Sequence, residues 1–264
     1  MSSDLPASAR ARQLLRAAGF VGVTGAMLPL YMTRDRLARS ERRDEIRDRW
    51  VRRWSRLLLD LFGIRVTVLG DPSPPRGRGR LVVANHRSAI DVGALLHTFG
   101  GRMVSRSDLS GWPLVGAAAR SVGTVFVDRA DAGSGASAIR SIRELLKAHQ
   151  TVIIFPEGTT FPGDEVRPFQ PGSFLAALRT ESEVLPVGIA YERGSEATFF
   201  NETFTNHLGR MAAAPKPTRV TLSIGSPILV ERGTRSAPLA AEAHAAVQEL
   251  VHRSRASVDS PASP

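Results

Sequence analysis

The chain contains no cysteine, which excludes disulfide bridges and cysteine-ligated metal sites. It also has no G-x-S-x-G sequence, the turn that presents a nucleophilic serine in many hydrolases. No pattern of a recognisable nucleic-acid-binding module is present. No A-x-A cleavage site directly follows the apolar segment near the N terminus, which argues against a removable signal peptide. Because both cysteine and the G-x-S-x-G serine are missing, the attacking group of the chain, if it is an enzyme, is expected to come from a substrate.

Length and composition indicate a globular protein with an anionic partner. The 264 residues are enough for one sizeable α/β domain and an appendage, and 42% of them are hydrophobic against 23% charged. The formal net charge is +10. A surplus of this size favours a partner that is either nucleic acid or a lipid surface.

The appendage contains a charge-free apolar run of sixteen residues, at positions 17–32. A helix that crosses a bilayer needs roughly 20 residues, and Pro29 is expected to bend this one near its end. A shallow or re-entrant membrane segment is our first interpretation. A short tilted span is the second, and a buried core helix is the third.

A basic amphipathic segment follows this run. Residues 34–56 hold ten arginines against five acidic residues, and apolar residues recur among them at near-helical spacing. Trp50 and Trp54, one turn apart, suit a helix that lies in the interface with its rings at headgroup depth and its arginines on anionic lipid. The positive-inside tendency places this side at the cytoplasmic face of the cell membrane. The alternative is a solvated helix that packs on the domain, with paired charges on its surface.

The pattern after residue 62 predicts an α/β domain with a mostly parallel mixed sheet and helices on both faces. Strands are predicted at 64–69, 81–84, 102–105, 122–127, 151–155, 184–190 and 219–224, with helices between several of them and a closing helix at 237–252. Residues 191–217 are predicted to be an excursion over the surface. The predicted organisation is a membrane-associating helical segment at 1–62, a domain at 63–253 and a disordered tail at 254–264.

The chain's chemistry is predicted to centre on the end of the second strand. The apolar run 81–84 stops at Asn85, His86 and Arg87, and Ser88 with Asp91 has the S-x-x-D form of a capping box. A helix that starts at Ser88 leaves His86 in the preceding turn, from which its ring can fold back onto Asp91. A carboxylate that accepts one ring N–H fixes the tautomer and leaves the other nitrogen free to remove a hydroxyl proton.

A plainer interpretation of the same residues stays open. A histidine at a strand end is often only a hydrogen-bonded structural residue, and Asp91 in a first helical turn is often only a cap. Of the six histidines in the chain, only His86 has an aspartate at this spacing.

Four segments of the chain resemble, in order, the conserved blocks of the glycerolipid acyltransferases, a family that includes bacterial lysophosphatidic acid acyltransferases. Asn85, His86 and Asp91 match its N-H-x4-D block. Residues 123–129 (GTVFVDR) are similar to its second block, residues 155–159 (FPEGT) to its third, and residues 184–187 (VLPV) to its fourth.

The resemblance implies a 1-acyl-sn-glycerol-3-phosphate acyltransferase without a cofactor or a bound metal. Its acyl donor would be acyl-CoA or acyl carrier protein, its acceptor a lysophospholipid, and it would have no nucleic-acid partner. His86 would be the catalytic base and Asp91 its orienting carboxylate. The groups expected to hold the acceptor's polar head are Asn85, Arg129, Glu157, Gly158, Thr159, Thr160 and Arg167.

Two departures from the family pattern leave the acceptor open. The third block commonly continues with arginine where this chain has Thr160, and a lysine is common where it has Gln170. Both changes remove a cation that would hold a phosphate. Arg129 and Arg167 offer compensation, while an acceptor without a phosphate, such as a lyso-ornithine lipid, is the alternative. A non-enzymatic basic protein that binds an anionic surface is the rival from another class.

The loop after the fifth predicted strand is also expected to bind a ligand. It holds four prolines and three glycines from position 156 to position 172, and long irregular loops are often functional. A helix beginning after Pro171 and Gly172 would offer its N terminus to an anion.

Overall fold

The elements of the fold alternate between helix and strand over most of the chain. The structure is a computed structural model that describes residues 6–75, 77–128, 130–195, 197–200, 202–215 and 217–259. Its helices are α1 (Ala7–Leu37), α2 (Ser40–Leu61), α3 (Ile90–Phe99), α4 (Val115–Ser121), α5 (Ala132–Lys147), α6 (Phe204–Ala213) and α7 (Ser236–Asp259). Its strands are β1 (Ile64–Leu69), β2 (Arg80–Ala84), β3 (Arg102–Arg106), β4 (Val125–Val127), β5 (Thr151–Ile154), β6 (Glu183–Tyr191), β7 (Thr218–Ile224) and β8 (Ile228–Leu229).

The strands form one mixed sheet in the order β1-β7-β6-β2-β5-β3-β4, with β8 paired to β6. Most neighbours are parallel, and β6 runs antiparallel to β7 and β8. Side chains of β2 alternate between two cores: Val82 and Ala84 pack with residues of α2 and α3, while Leu81 and Val83 pack with residues of α5 and α7. The predicted α/β class, with helices on both faces, is confirmed.

The parallel strands β2, β5 and β6 end side by side. β2 pairs with both of the others, so the residues that follow Ala84 and Ile154 emerge at the same edge of the sheet as Tyr191, the last residue of β6. Ligand sites of such sheets lie at the carboxyl ends of the strands. The fold therefore collects three chain segments at one place.

Helix α1 is longer than the apolar run predicted within it and is largely uncovered. It is long and apolar enough to cross a membrane by length and composition, and only 11% of its most apolar window is buried. Leu14, Leu15, Val21 and Leu30 are exposed on it. The buried core helix, our third interpretation, is wrong, because the domain covers only a narrow strip of α1.

Helix α2 packs on the domain through its apolar side. Val51 and Leu59 are buried in the core that α3 shares. The Trp50 ring lies 6.2 Å from that of Tyr31, and Trp54 Nε1 donates to Thr24 Oγ1 at 3.1 Å. Both tryptophans therefore contact α1 and are only partly buried, and the depth of their rings in a membrane stays a prediction.

The C-terminal helix extends past its predicted end. Residues 254–259, predicted to be disordered, belong to α7, and 260–264 lie outside the described residues. Ser254 Oγ donates to the carbonyl of Gly188 at 2.9 Å. Gly188 lets α7 approach β6 this closely, because a Cβ there would lie 2.2 Å from the carbonyl carbon of Leu250.

Two further predictions need correction. The segment 191–217 contains α6, which packs on α1 and buries His207 and Met211. The helix expected after Pro171 is a single 3-10 turn, Pro171–Phe174. A turn this short presents no helix N terminus to an anion.

Candidate active site

The turn between β2 and α3 brings His86 onto Asp91. His86 Nδ1 lies 2.9 Å from Asp91 Oδ2, and Asp91 is fully buried in the first turn of α3. The helix begins at Ile90 rather than at Ser88 as predicted. Only the carboxylate half of the predicted capping box forms, with Asp91 accepting from the Ser88 N–H, because Ser88 Oγ accepts from the Ile90 N–H instead.

The Asp91 carboxylate accepts hydrogen bonds on both oxygens. Oδ2 accepts from the backbone N–H groups of Arg87 at 2.6 Å and Ser88 at 2.8 Å, in addition to His86. Oδ1 accepts from the Tyr191 hydroxyl at 2.5 Å. Because the carboxylate oxygen accepts, the His86 nitrogen that contacts it must donate. His86 therefore carries its proton on Nδ1, and its Nε2 keeps a lone pair. Within the described residues, no hydrogen bond occupies that Nε2.

Tyr191 reaches Asp91 from the end of β6 and is itself buried. Burial, followed by the negative charge of Asp91, raises the pKa of Tyr191 well above its ordinary value. The phenol therefore stays protonated and keeps donating to the carboxylate. Tyr191 and Arg87 together anchor the carboxylate that holds His86.

The ring of His86 is also fixed from its face. It stacks on the ring of Phe155, which directly follows β5, with centroids 3.9 Å apart and planes 9° from parallel. The side chain of His86 remains 20% exposed, in contrast to that of Asp91. The ring is thus held by a hydrogen bond at Nδ1 and by stacking on one face, but it remains open to solvent. A hydroxyl can therefore approach its second nitrogen, Nε2.

A buried ion pair ties this turn to the loop after β5. Arg87 Nη1 donates to Glu157 Oε2 at 2.8 Å, and neither side chain is more than 3% exposed. Burial raises the pKa of Glu157, and the hydrogen bond and charge of Arg87 oppose that rise. Arg87 also donates to the carbonyls of Gly163 at 2.6 Å and Glu165 at 2.8 Å. One guanidinium thus orders both chain segments at the site.

The predicted acceptor-binding residues fall in different surroundings. Asn85 is buried with its side-chain amide exchanging two hydrogen bonds with the backbone of Ile189, so it joins β2 to β6 instead of facing a ligand as predicted. Glu157 is likewise enclosed by the protein and paired. Gly158 adopts a φ of 86°, which favours glycine, and Thr159 and Thr160 follow it toward solvent.

Two predicted cations have different outcomes. The Arg167 guanidinium lies over the ring of Phe161, 5.4 Å from its centroid, and the Phe161 N–H donates to the carbonyl of His86 at 3.1 Å. Arg167 therefore lies near the turn that carries His86, with its side chain half exposed. Arg129 lies outside the described residues.

The second block contributes to a separate cavity of about 360 Å³ beneath α5. Its lining residues are Arg102, Gly123, Thr124, Val125, Phe126, Ser137, Ala138, Ser141 and Leu145.

Within the described part of the chain, no group of three or more histidine and acidic residues is arranged to hold a metal ion.

Sequence reasoning missed Tyr191 and His207. The predicted strand stopped at position 190, so Tyr191 was assigned to the following excursion, although its place at a strand end beside β2 was a usable signal. His207 Nε2 lies 3.2 Å from Ser88 Oγ, a contact across 119 residues that no local pattern indicates.

Known proteins share both the fold and this motif region. A family model described as Acyltransferase matches residues 65–190. A lyso-ornithine lipid O-acyltransferase of Pseudomonas aeruginosa is 32% identical over 251 residues, covering 91% of this chain and 93% of the relative. A 1-acyl-sn-glycerol-3-phosphate acyltransferase of Neisseria meningitidis is 31% identical over 147 residues, covering 56% and 57%.

Among solved structures, that of the 1-acyl-sn-glycerophosphate acyltransferase PlsC from Thermotoga maritima superposes with a TM-score of 0.71. The two sequences are 25% identical, and the match covers 93% of this chain and 97% of the other.

Proposed function

This chain belongs to the acyltransferase family, and we propose that it moves a fatty acyl group from an acyl thioester to the free hydroxyl of a lysolipid, with His86 as the base. The observation that carries the proposal is the contact of His86 Nδ1 with Asp91, which leaves Nε2 as an open proton acceptor at the end of β2. The thioester is acyl-CoA or acyl carrier protein. The His86→Ala variant argued in the Discussion tests the proposal.

In the proposed reaction, His86 Nε2 takes the proton of the acceptor hydroxyl as its oxygen attacks the thioester carbonyl. Asp91 stabilises the imidazolium that results, and its four donors keep it in place. The tetrahedral intermediate then expels the thiolate, which receives the proton from His86. The ester is formed, the thiol is released and the base returns to its starting state.

Lysophosphatidate is the first candidate acceptor. The N-H-x4-D block and the third block have the pattern expected for it, and Arg167 offers a partly exposed cation near the turn. The product would be phosphatidic acid.

A lyso-ornithine lipid is the second candidate, and Thr160 favours it. A hydroxyl in place of arginine removes a charge-assisted bond to a phosphate. The guanidinium of Arg87, which also lies at this turn, is occupied by Glu157 and two loop carbonyls. The Pseudomonas aeruginosa relative, which is matched over nearly its whole length, carries this acceptor in its name.

Labelled acyl donor offered with each lysolipid to the purified protein should separate these acceptors, and Thr160→Arg sharpens the test. We expect the substitution to raise kcat/KM for lysophosphatidate over that for lyso-ornithine lipid by roughly tenfold or more, because one charge-assisted hydrogen bond contributes about 1.5–3 kcal/mol. Thr67→Arg, on the exposed part of β1, is the matched control and should leave the ratio unchanged. An equal ratio in both variants would show that position 160 does not meet the acceptor's head.

The exposed side of α1 is proposed to bind the membrane that supplies the acceptor. Leu14 and Leu15 are each 71% exposed, and Val21 and Leu30 are more than half exposed. On the neighbouring helix α2, exposed arginines outnumber exposed acidic residues, so this helix would favour anionic lipid beside α1. The cytoplasmic face of the cell membrane is the location that we propose.

Leu14→Ser with Leu15→Ser should weaken binding to anionic phospholipid vesicles by at least roughly tenfold. Burying one leucine contributes about 1.5–3 kcal/mol, and the double variant removes two. Sedimentation with vesicles measures the loss. Leu229→Ser, at an exposed leucine of β8, is the control and should bind as the unaltered protein does. Equal binding by all three proteins would place the membrane surface elsewhere.

A further inference from the structure

Helix α6 and the loop before it contact the turn between β2 and α3 that carries His86. His207 on α6 is 1% exposed, and its Nε2 accepts from the Ala89 N–H at 3.3 Å. The same nitrogen lies 3.2 Å from Ser88 Oγ. The loop adds a backbone contact, in which the Phe199 N–H donates to the carbonyl of Arg87 at 2.9 Å. Three consecutive residues after His86 are therefore held by one segment.

The hydrogen bonds define the protonation state of His207. A backbone N–H can only donate, so Nε2 carries the lone pair and the ring proton is on Nδ1. That nitrogen lies 3.3 Å from Glu202 Oε1, which accepts from it. The Arg210 guanidinium lies 3.3 Å from the same nitrogen and donates to Glu202 Oε1 as well. Burial, followed by the positive charge of Arg210, lowers the pKa of His207, and Glu202 opposes this. The neutral ring is thus the form that fits the turn.

Ser88, His207 and Glu202 are in the order of a hydrolase triad, but they do not act as one. Ser88 is fully buried, and its Oγ accepts from the Ile90 N–H at 3.2 Å. A serine enclosed in this way does not reach an acyl group. The arrangement braces the turn and supplies no nucleophile of its own.

The opposite end of α6 is fixed to the N-terminal helix. Arg16 of α1 donates to the carbonyls of Met211, Ala212 and Ala214 at 2.9–3.2 Å, and Arg12 donates to that of Ala213. Cations here satisfy the open carbonyls at the helix C terminus. Helix α6 therefore connects α1 to the turn that carries His86.

We propose that neutral His207 is a positioning residue for acyl transfer, because it accepts the Ala89 N–H and so fixes the turn on which His86 and Asp91 meet. This inference rests on the proposed role of His86. It concerns placement alone, since His207 touches neither the acceptor nor the thioester. A displacement of about 1 Å at reacting atoms can cost on the order of 10²-fold in rate.

Two substitutions at position 207 separate positioning from bulk packing. His207→Leu fills the space without an acceptor, and we expect kcat to fall on the order of 10²-fold with a smaller change in KM for the lysolipid. His207→Gln supplies an amide oxygen for the Ala89 N–H and an amide N–H for Glu202, and should restore most of the loss. His252→Gln, at an exposed histidine of α7, should change nothing. Rates are expressed per folded protein, as measured by thermal unfolding.

The pH profile gives a readout that packing would not alter. Protonated His207 has no lone pair for the Ala89 N–H, so acid should remove part of the activity of the unaltered protein through His207. The charged groups around His207 are Glu202 before α6, Arg210 on α6, Asp91 behind Ser88, and Arg12 and Arg16 at the far end of the helix. We expect log kcat to fall less steeply with acid in His207→Gln than in the unaltered protein.

The outcomes distinguish this inference from the proposed function. An unaltered kcat in His207→Leu, an equal loss in the Gln and Leu variants, or an unchanged acid limb in His207→Gln would each overturn the positioning role. His86→Ala, assayed in parallel, tests the base. If that variant is inactive while His207→Leu is fully active, only the inference about His207 fails.

Discussion

Replacing His86 with alanine should lower kcat for acyl transfer by roughly 10²–10⁴-fold, the contribution usual for a positioned base. The substitution removes the nitrogen that accepts the hydroxyl proton but leaves the donors to Asp91 from Arg87, Ser88 and Tyr191 in place. Because His86 is partly exposed, its loss opens no enclosed cavity. The measurement is the initial rate with labelled acyl donor and saturating lysolipid.

The matched control is His252→Ala, which removes an exposed histidine from α7. It should transfer acyl groups at the rate of the unaltered protein. The thermal unfolding midpoint and vesicle binding of His86→Ala should remain those of the unaltered protein, so that a loss of rate reports chemistry. A His86→Ala protein that retains a rate near that of the unaltered protein would contradict the proposed base.

The dyad itself could be predicted because its determinants are local. An apolar strand, a polar turn and an acidic residue in the first helical turn all lie between positions 81 and 91, and backbone geometry then limits where His86 points. What fixes Asp91 from the other side could not be found in this way. Tyr191 contributes its hydroxyl from 100 residues further along the chain, through the pairing of β6 with β2.

Contacts between residues distant in sequence could not be predicted at either end of the chain. The local pattern of α2 does not indicate that Trp50 and Trp54 contact Tyr31 and Thr24 of α1. The polar composition after position 253 predicts disorder, but Ser254 hydrogen-bonds to Gly188 and Val258 is buried. At the C-terminal end, tertiary contacts therefore outweigh local composition.

Replacing Arg87 with methionine should lower the free energy of unfolding at neutral pH by about 3–5 kcal/mol, the cost of breaking a buried ion pair by removing one partner. Glu157 would keep its buried carboxylate without the guanidinium that now offsets its desolvation. The carbonyls of Gly163 and Glu165 would lose their donor as well. Urea unfolding measures the loss, and acyl transfer should fall with it because the loop beside His86 is released.

The pH dependence of this loss should identify Glu157 as its source. Removing Arg87 raises the pKa of Glu157 further above its ordinary value of 4.5, so the folded variant disfavours the ionised form. Its stability deficit should be smallest below that value and should grow as the pH rises through the raised pKa. Arg87→Met combined with Glu157→Gln removes the charge and should recover much of the loss at neutral pH.

A surface ion pair provides the comparison for Arg87. Lys147 lies 3.1 Å from Glu144 with its side chain half exposed, and Lys147→Met should change stability by less than about 1 kcal/mol at any pH. Equal effects at positions 87 and 147 would mean that water reaches Glu157. The Arg87–Glu157 pair would then contribute no more to stability than a surface ion pair does. A large loss confined to Arg87, relieved by acid and by Glu157→Gln, would instead follow from a desolvated carboxylate, since only such a group needs its counter-charge to remain ionised.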